Sequence, residues 1–527
     1  MEKRLLLAAL LSALFVAWYT QIVLRSPGAK GHSSLQTTLN RSVGEPINEA
    51  SVTTETSETP LVAEESIVIL SSKDLSVEVG QTSGSVRRAT LKGFKDVSKT
   101  GNLQVGGYLP LIHFRIAQEA ALSWSLESEH GDQVVLHATG KSGNSYELSY
   151  GVRENTPVLN ILMKIRAVPE AESQINKQIS ITNTWSKADS LSNRNNQLEA
   201  HFLINNGTRQ AYKRYIAPIR EHRIVPHGTK IVALTERYFC QIIKTEVVVQ
   251  SMLLPSINGT IISQSSGELA LDNQNKELSF AATVYIGPRD YFHLQKAGFE
   301  KAFRIGILEQ IGLILLMALK AIAKVTGNYG VAIIVFSIGI TTLMSPFTLL
   351  SFRSMKKMQE LKPKMDRIYA RHKDNQQKAN EEMLALYREH RVNPLGGCLP
   401  IFLQMPIFFA LFQTISHFIE LRGQQFLWIF DLSLPDRLYT LPFTLPIIGK
   451  YLNLLPLVMA VVMYFQTKMS QRNAGVAEGN PSMKMMSGPI MPVIFGIMFY
   501  QFPAGLVLYW LTNSLMSLVF YKLAART

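Results

Sequence analysis

The chain has 527 residues, of which 47% are hydrophobic, and its 53 Lys and Arg against 39 Asp and Glu leave a formal net charge of +14. That length holds about two to four domains, and two cysteines are too few for a disulfide-built scaffold. The basic excess could suit nucleic acid, but no aromatic and basic reader motif accompanies it. The charge gathers beside apolar runs, which a positive-inside bias explains without any nucleic-acid reading.

Glu2, Lys3 and Arg4 precede an apolar run from Leu5 to Leu24 that is long for a signal-peptide core and lacks a small-x-small cleavage site. Residues 1–26 therefore read as a transmembrane signal anchor. Residues 27–65, rich in Ser, Thr, Glu, Gly and Pro with no apolar period, read as a flexible linker. From 66 to 297, strand-sized runs such as Ser66 to Leu70, Gln133 to Ala138, Ser145 to Tyr150 and Val158 to Met163 alternate with turn clusters such as Gly140 to Asn144. Their spacing predicts an all-β antiparallel sandwich. Cys240 lies in it and Cys398 at a span edge, so no internal disulfide is expected.

Residues 298–326 carry Phe299, Phe303, Ile307, Ile311 and Ile314 at helical spacing, with Lys301, Arg304 and Glu309 among them. This predicts an amphipathic helix lying along the outer membrane face. Five apolar spans follow, near 330–351, 398–419, 452–467, 486–502 and 505–521, without an Asp, Glu, Lys or Arg in their interiors. A span needs about 20 apolar residues. The third and fourth are short, which calls for snorkelling flanks or a thinned bilayer.

Between Arg353 and Arg391 stand eleven Lys or Arg and six Asp or Glu, and Lys468, Arg472, Lys484, Lys522 and Arg526 lie near other span ends. These segments are expected in the cytoplasm, with the β-domain outside and both termini inside. In the charged connection at 353–392, Met365, Ile368, Met383 and Tyr387 mark apolar positions on polar helical patterns. Pro363 and the run from His372 to Gln377 interrupt it, predicting a hairpin of two antiparallel helices.

Enzyme signatures are missing. There is no Gly-rich phosphate loop, nucleophile elbow, Cys pair or paired His at metal-ligand spacing, so no catalytic residue, cofactor or metal is expected, and His222 and His227 read as surface or satisfied histidines. The spans also lack the acidic groups that relay protons in coupled transporters; only His417, beside Glu420, comes near. What they hold is uncharged polarity. Ser337, Thr341, Ser345 and Thr348 make a stripe on one helix face with Thr342 beside it. Gln404, Gln413, Gln501, Asn513, Ser514 and Ser517 add polar groups from other spans. Each alone reads as interhelical hydrogen bonding; together they predict a water-accessible groove, because several buried polar groups would otherwise need partners. Such a notch would shorten the dry path for a hydrophilic tail crossing hydrocarbon.

The run from Asn393 to Cys398 (NPLGGC) leading into Pro400, Gln404 to Phe408 (QMPIF), Met491 to Phe495 (MPVIF) and Phe502 to Trp510 (FPAGLVLYW), with Ser354-Met355 and Lys362-Pro363-Lys364 before the hairpin, resembles the YidC/Oxa family of membrane protein insertases. The anchor and large β-domain resemble the Gram-negative form. The resemblance implies a five-helix insertase core at 327–524, a groove open to cytosol and lipid, a bacterial inner membrane location and a periplasmic β-domain. It implies a membrane insertase and chaperone, not an enzyme, that handles nascent membrane proteins alone or with the Sec translocon and its accessory subunits. Ribosome and signal recognition particle receptor belong to the same expectation, as does the lipid bilayer.

On this reading Ser337, Thr341, Thr342, Ser345, Gln404, Gln501, Tyr509, Trp510 and Asn513 line the substrate groove. Phe408, Phe502 and Leu506 contact the hydrophobic segment, and the hairpin receives substrate. Thr341 stands where bacterial relatives carry an Arg thought to attract acidic tails, which implies dependence on hydration more than on substrate charge. The competing readings are a polytopic transporter or channel with a periplasmic binding domain, and a scaffold displaying a carbohydrate-binding β-domain.

Overall fold

The computed structural model describes residues 65–526 apart from 96–100, 108, 117–118, 120–121, 142, 167–177, 188–196, 206–209, 273–276, 304–305, 373–374, 391, 393–398, 446–448 and 475–489. The predicted anchor at 1–26 and the linker up to residue 64 lie outside the described residues. Glu65, assigned to the linker, belongs to the β-domain: its carboxylate accepts from the Ser83 N–H at 2.8 Å and the Thr82 N–H at 3.0 Å.

Alternation of buried and exposed residues, as in Gln133–Thr139 and Ser145–Val152, builds antiparallel strands from Ile67 to Pro288. They join in one 18-stranded sheet that folds over on itself. The strand Phe239–Ile257 causes the fold. Its first half pairs with Thr229–Thr235 and Glu277–Pro288, its second with Thr260–Glu268, so it passes from one layer to the other. Side chains from both layers, among them Leu75, Tyr150, Trp185, Phe202 and Phe280, share one apolar core. The expected sandwich is present.

Helix α1 (Tyr291–Ala297) is capped by the Asp290 carboxylate and ended by Gly298 in the left-handed region, where glycine carries no Cβ penalty. A 3-10 turn at Glu300–Ala302 follows, and only then α2 (Ile307–Thr326). The predicted helical start at 298 is thus corrected to 307. Phe299 and Phe303 recur at helical spacing because they fill a second apolar cluster against Ile231, Ile242 and Tyr285 on the sandwich, not because they continue the face of α2. Nor does α2 lie free: a Cβ on Gly312 would sit 2.9 Å from the Ala410 carbonyl oxygen, so it packs directly on the helix carrying Ala410.

Helix α3 (Tyr329–Glu360) runs unbroken through the first span into the charged connection, with Pro346 inside it. The hairpin expected from 353 therefore begins later, with α4 (Lys362–Arg371) and α5 (Gln376–Glu389). Pro363 marks the break in the charged connection where α3 gives way to α4. It sits in the first turn of α4, where a missing N–H costs nothing. Next come α6 (Leu399–Ser416), α7 (Leu454–Ala474), α8 (Ile490–Phe499) and α9 (Ala504–Arg526). Among the described residues only Tyr329–Glu360 and Ala504–Leu523 are long and apolar enough to cross a membrane by themselves; Leu403–Ser416, Leu454–Met469 and Ile490–Phe499 are shorter apolar helices. The two spans read as short are short.

Between α6 and α7 the chain forms a two-stranded hairpin, Tyr439–Leu445 with Gly449–Leu452, which the sequence reading missed. The segment before it docks on the sandwich. Arg237 donates to the Ser416 and Ser433 carbonyls at 2.8 and 3.0 Å, Arg422 donates to the Lys95 carbonyl at 2.7 Å, and Ile419 enters the sandwich core. Lys320 of α2 completes the joint: its ammonium lies 2.6 Å from Glu420 and 3.7 Å from Asp290, and 4.1 Å from the centre of the Phe292 ring. Burial works against the Asp290 carboxylate. The His293 hydrogen bond, the Lys320 charge and the Phe292 N–H outweigh it and hold the carboxyl below its ordinary range.

Candidate functional site in the helical bundle

The polar stripe of α3 is real, but its hydroxyls turn inward to their own helix. Ser337 donates to the Ile333 carbonyl at 2.6 Å, Thr341 to Ser337 at 2.7 Å and Thr348 to Met344 at 3.2 Å. Each is an i−4 bond that a hydroxyl makes without leaving the helix. The same Thr341 proton is shared with the Asn513 side-chain oxygen 2.8 Å away, joining α3 to α9.

One turn earlier on α9, the Tyr509 hydroxyl accepts from the Gln404 amide of α6. Residues 509 and 513 are four apart and share a face. That face gathers α3 and α6 around uncharged polar pairs. By helical rise Thr341 lies about 18 Å along α3 from Tyr329. Of the predicted groove residues, Ser337, Thr341, Gln404, Tyr509 and Asn513 thus come together, with Ser345 half-buried one turn further along α3. Thr342 is exposed beside the stripe and Gln501 is exposed past the end of α8.

Trp510, half-buried, packs in an aromatic layer. Its ring lies 5.1 Å from Phe408, 5.3 Å from Phe499 and 5.9 Å from Phe495. Phe499 in turn lies 4.9 Å from Phe502. This aromatic layer joins α6, α8 and α9 at separations suited to ring pairs. Phe408, Phe502 and Leu506, expected to meet a hydrophobic segment, are all buried in the bundle, as is Tyr509. Sequence marks such residues as apolar and helical, but does not tell an interior face from a lipid-facing one when both neighbours are apolar.

In the α4 and α5 hairpin, Met365, Met383 and Tyr387 are buried with Leu361, Leu386 and Val392 in a small core of their own, and Ile368 packs against it. The Tyr387 hydroxyl points at the Met365 sulfur, 3.9 Å away. These four residues hold the hairpin together and do not form an open apolar surface. His372 bonds Glu382 across the turn at 2.9 Å, and Asn375 caps α5 by accepting from the Lys378 N–H at 3.0 Å. Among the described residues no group of three or more His, Cys, Asp or Glu could hold a metal ion.

Residues 321–526, which contain this bundle, match the family model described as 60Kd inner membrane protein. The chain is 40% identical over 247 residues to the membrane protein insertase YidC of Syntrophobacter fumaroxidans, covering 46% of this chain and 43% of that protein. It is 42% identical over 244 residues to the membrane protein insertase YidC of Endomicrobium trichonymphae, covering 46% and 44%. The chain spans less than half the length of these curated relatives. A crystal structure described as an active YidC insertase with the first transmembrane domain resolved aligns over 87% of this chain and 93% of that chain at 17% identity, with a TM-score of 0.38. The helical bundle of this chain is thus similar, across residues 321–526, to the family described as 60Kd inner membrane protein.

Proposed function

We propose that this protein is a membrane protein insertase and chaperone that passes the hydrophilic parts of nascent membrane proteins along the polar face shared by α3, α6 and α9. The observation that supports it most is the 40% identity, over 247 residues, to a protein named as a membrane protein insertase. The chemistry of the face suits the task. Its groups are neutral, so a peptide carrying either charge meets no fixed opposite charge, and its hydroxyls exchange hydrogen bonds with a passing chain at low cost. No bond is made or broken in this work, and no cofactor is called on.

In this reading α3, α6, α7, α8 and α9 cross a bacterial inner membrane, and residues 1–26 supply a further anchor. The hairpin at α4 and α5 lies in the cytoplasm and the sandwich outside. The Sec translocon with its accessory subunits, the ribosome and the signal recognition particle receptor are the partners that fit. The test is protease protection of a small single-spanning substrate synthesised with liposomes containing only this protein. Protection above that of empty liposomes supports autonomous insertion. Equal protection, with the protein folded and correctly oriented, defeats it.

A further inference from the structure

We infer that the hairpin Tyr439–Leu445 with Gly449–Leu452 is an interfacial anchor whose aromatic face inserts into the lipid leaflet on the sandwich side of the bundle. Between Arg437 and Leu452 the only charged residues are Arg437 and Lys450. Alternation puts Tyr439, Leu441 and Phe443 on one face of the first strand and Thr440, Pro442 and Thr444 on the other. Leu438 is 39% exposed, Tyr439 61%, Phe443 58% and Tyr451 39%. A lone two-stranded hairpin is marginal in water, and one that exposes apolar side chains invites aggregation. Something apolar covers it.

The base of the hairpin says what that is. Asp436, buried, accepts from the Leu455 N–H at the start of α7 at 2.6 Å. Asn453, also buried, donates through its side-chain amide to the Tyr500 carbonyl at 2.6 Å and accepts from the Arg437 N–H at 3.0 Å. The Tyr500 hydroxyl donates to the Tyr451 carbonyl at 2.9 Å. The strands are therefore pinned where α7 starts and α8 ends. Leu457, Val458, Val461 and Phe465 of α7 are exposed, so its outward apolar surface leads directly to the hairpin.

The polar trim matches a membrane interface. Arg437 stacks 4.8 Å above Tyr451, and with Lys450 it supplies the cations that reach toward lipid headgroups, while Tyr and Phe suit the belt below them. An open sheet edge is excluded from the hydrocarbon centre, so the hairpin lies along the interface. Its first strand, about 20 Å long, lends apolar surface just where α7 and α8 are too short to supply it.

The anchor rests on the membrane reading of α7, and the experiment separates the two. Nitroxide labels are placed at Phe443→Cys, Tyr439→Cys, Val461→Cys on α7 and Glu129→Cys on the exposed edge of the sandwich. The full chain carries Cys398→Ser, with buried Cys240 left in place, and is reconstituted in phospholipid vesicles. Relaxation by dissolved oxygen is compared with relaxation by a water-soluble nickel chelate. Labels at 443 and 439 are expected to show an oxygen-to-nickel ratio several-fold above that at 129 and similar to that at 461. A ratio at both hairpin positions equal to that at 129, or collision with neither reagent because protein covers the face, overturns the anchor while 461 still reports lipid. An aqueous value at 461 overturns the membrane reading, and the anchor with it.

Discussion

The Thr341 hydroxyl shares its one proton between the Asn513 side-chain oxygen at 2.8 Å and the Ser337 carbonyl of its own helix at 2.7 Å, so a single group ties α3 to α9 inside the bundle. Helix-to-helix hydrogen bonds in membranes contribute about 0.6 kcal/mol on average and up to about 1.7. Thr341→Val and Asn513→Leu are each expected to lower the stability of the purified protein by about 1 kcal/mol. The double variant should fall short of the sum of the two. Additive losses in thermal melts would mean that the pair is not coupled.

A neutral residue at 341 also predicts indifference to substrate charge. Substrates whose external tails differ only in added Asp are expected to insert to similar extents, and Thr341→Arg is expected to favour the acidic tails. Strong preference for acidic tails in the unaltered protein would defeat this account of the polar face.

The Lys320 joint should fail in one direction. Lys320→Met leaves Asp290 and Glu420 near one another with no cation between them, for a loss of about 1 to 2 kcal/mol after discounting for partial exposure. Glu420→Gln in the same chain should recover part of that loss. Because the Asp290 carboxyl is held below its ordinary range, its contribution is present above the carboxylate range and is lost as pH falls through it. A Lys320→Met protein that melts like the parent would show that the joint contributes nothing.

His201 gives the sandwich its own pH dependence. Burial pushes its pKa down to about 4 against the bond from Glu199, so the folded domain keeps it neutral while the unfolded chain protonates near 6.5. The unfolded state then binds more protons between those values, and stability should fall as pH drops from about 6.5 to about 4, by roughly 1 kcal/mol per unit. His201→Asn should flatten the curve over that window. An unchanged slope would place the dependence elsewhere.

Trp510→Ala is expected to cost about 2 to 4 kcal/mol through the cavity it opens among Phe408, Phe495 and Phe499, and Trp510→Phe about 1. The readout is the melting temperature of detergent-solubilised protein. A purely substrate-facing side chain would leave that temperature unmoved and change insertion alone.

Period-two alternation made the strands of the sandwich legible, and the polar run from His372 to Gln377 made the hairpin of α4 and α5 so. The polar stripe on α3 was legible as a pattern but not as chemistry, because the acceptors that satisfy Ser337, Thr341 and Thr348 are backbone carbonyls one turn back. Phe299 and Phe303 misled because a helical period also arises when a short helix and a turn pack on a sheet. The Tyr439 hairpin was missed although Tyr439, Leu441 and Phe443 alternate, since two prolines and a length typical of loops hid the strand. Phe408, Phe502 and Leu506 were found as apolar, yet which way they face depends on neighbours far away in sequence.

The unbroken course of α3 has a mechanical meaning. At 32 residues it is a rod about 48 Å long, continuous from the ring contact of Tyr329 with Phe418 to the edge of the α4 and α5 core. No loop along it can absorb a displacement. A tug on the hairpin end must tilt the rod or flex it at Pro346, where the missing N–H leaves the Thr342 carbonyl without its helical donor. The helix is thus one stiff element with a single weakened position, Pro346, between the hairpin core at one end and the Tyr329 contact at the other.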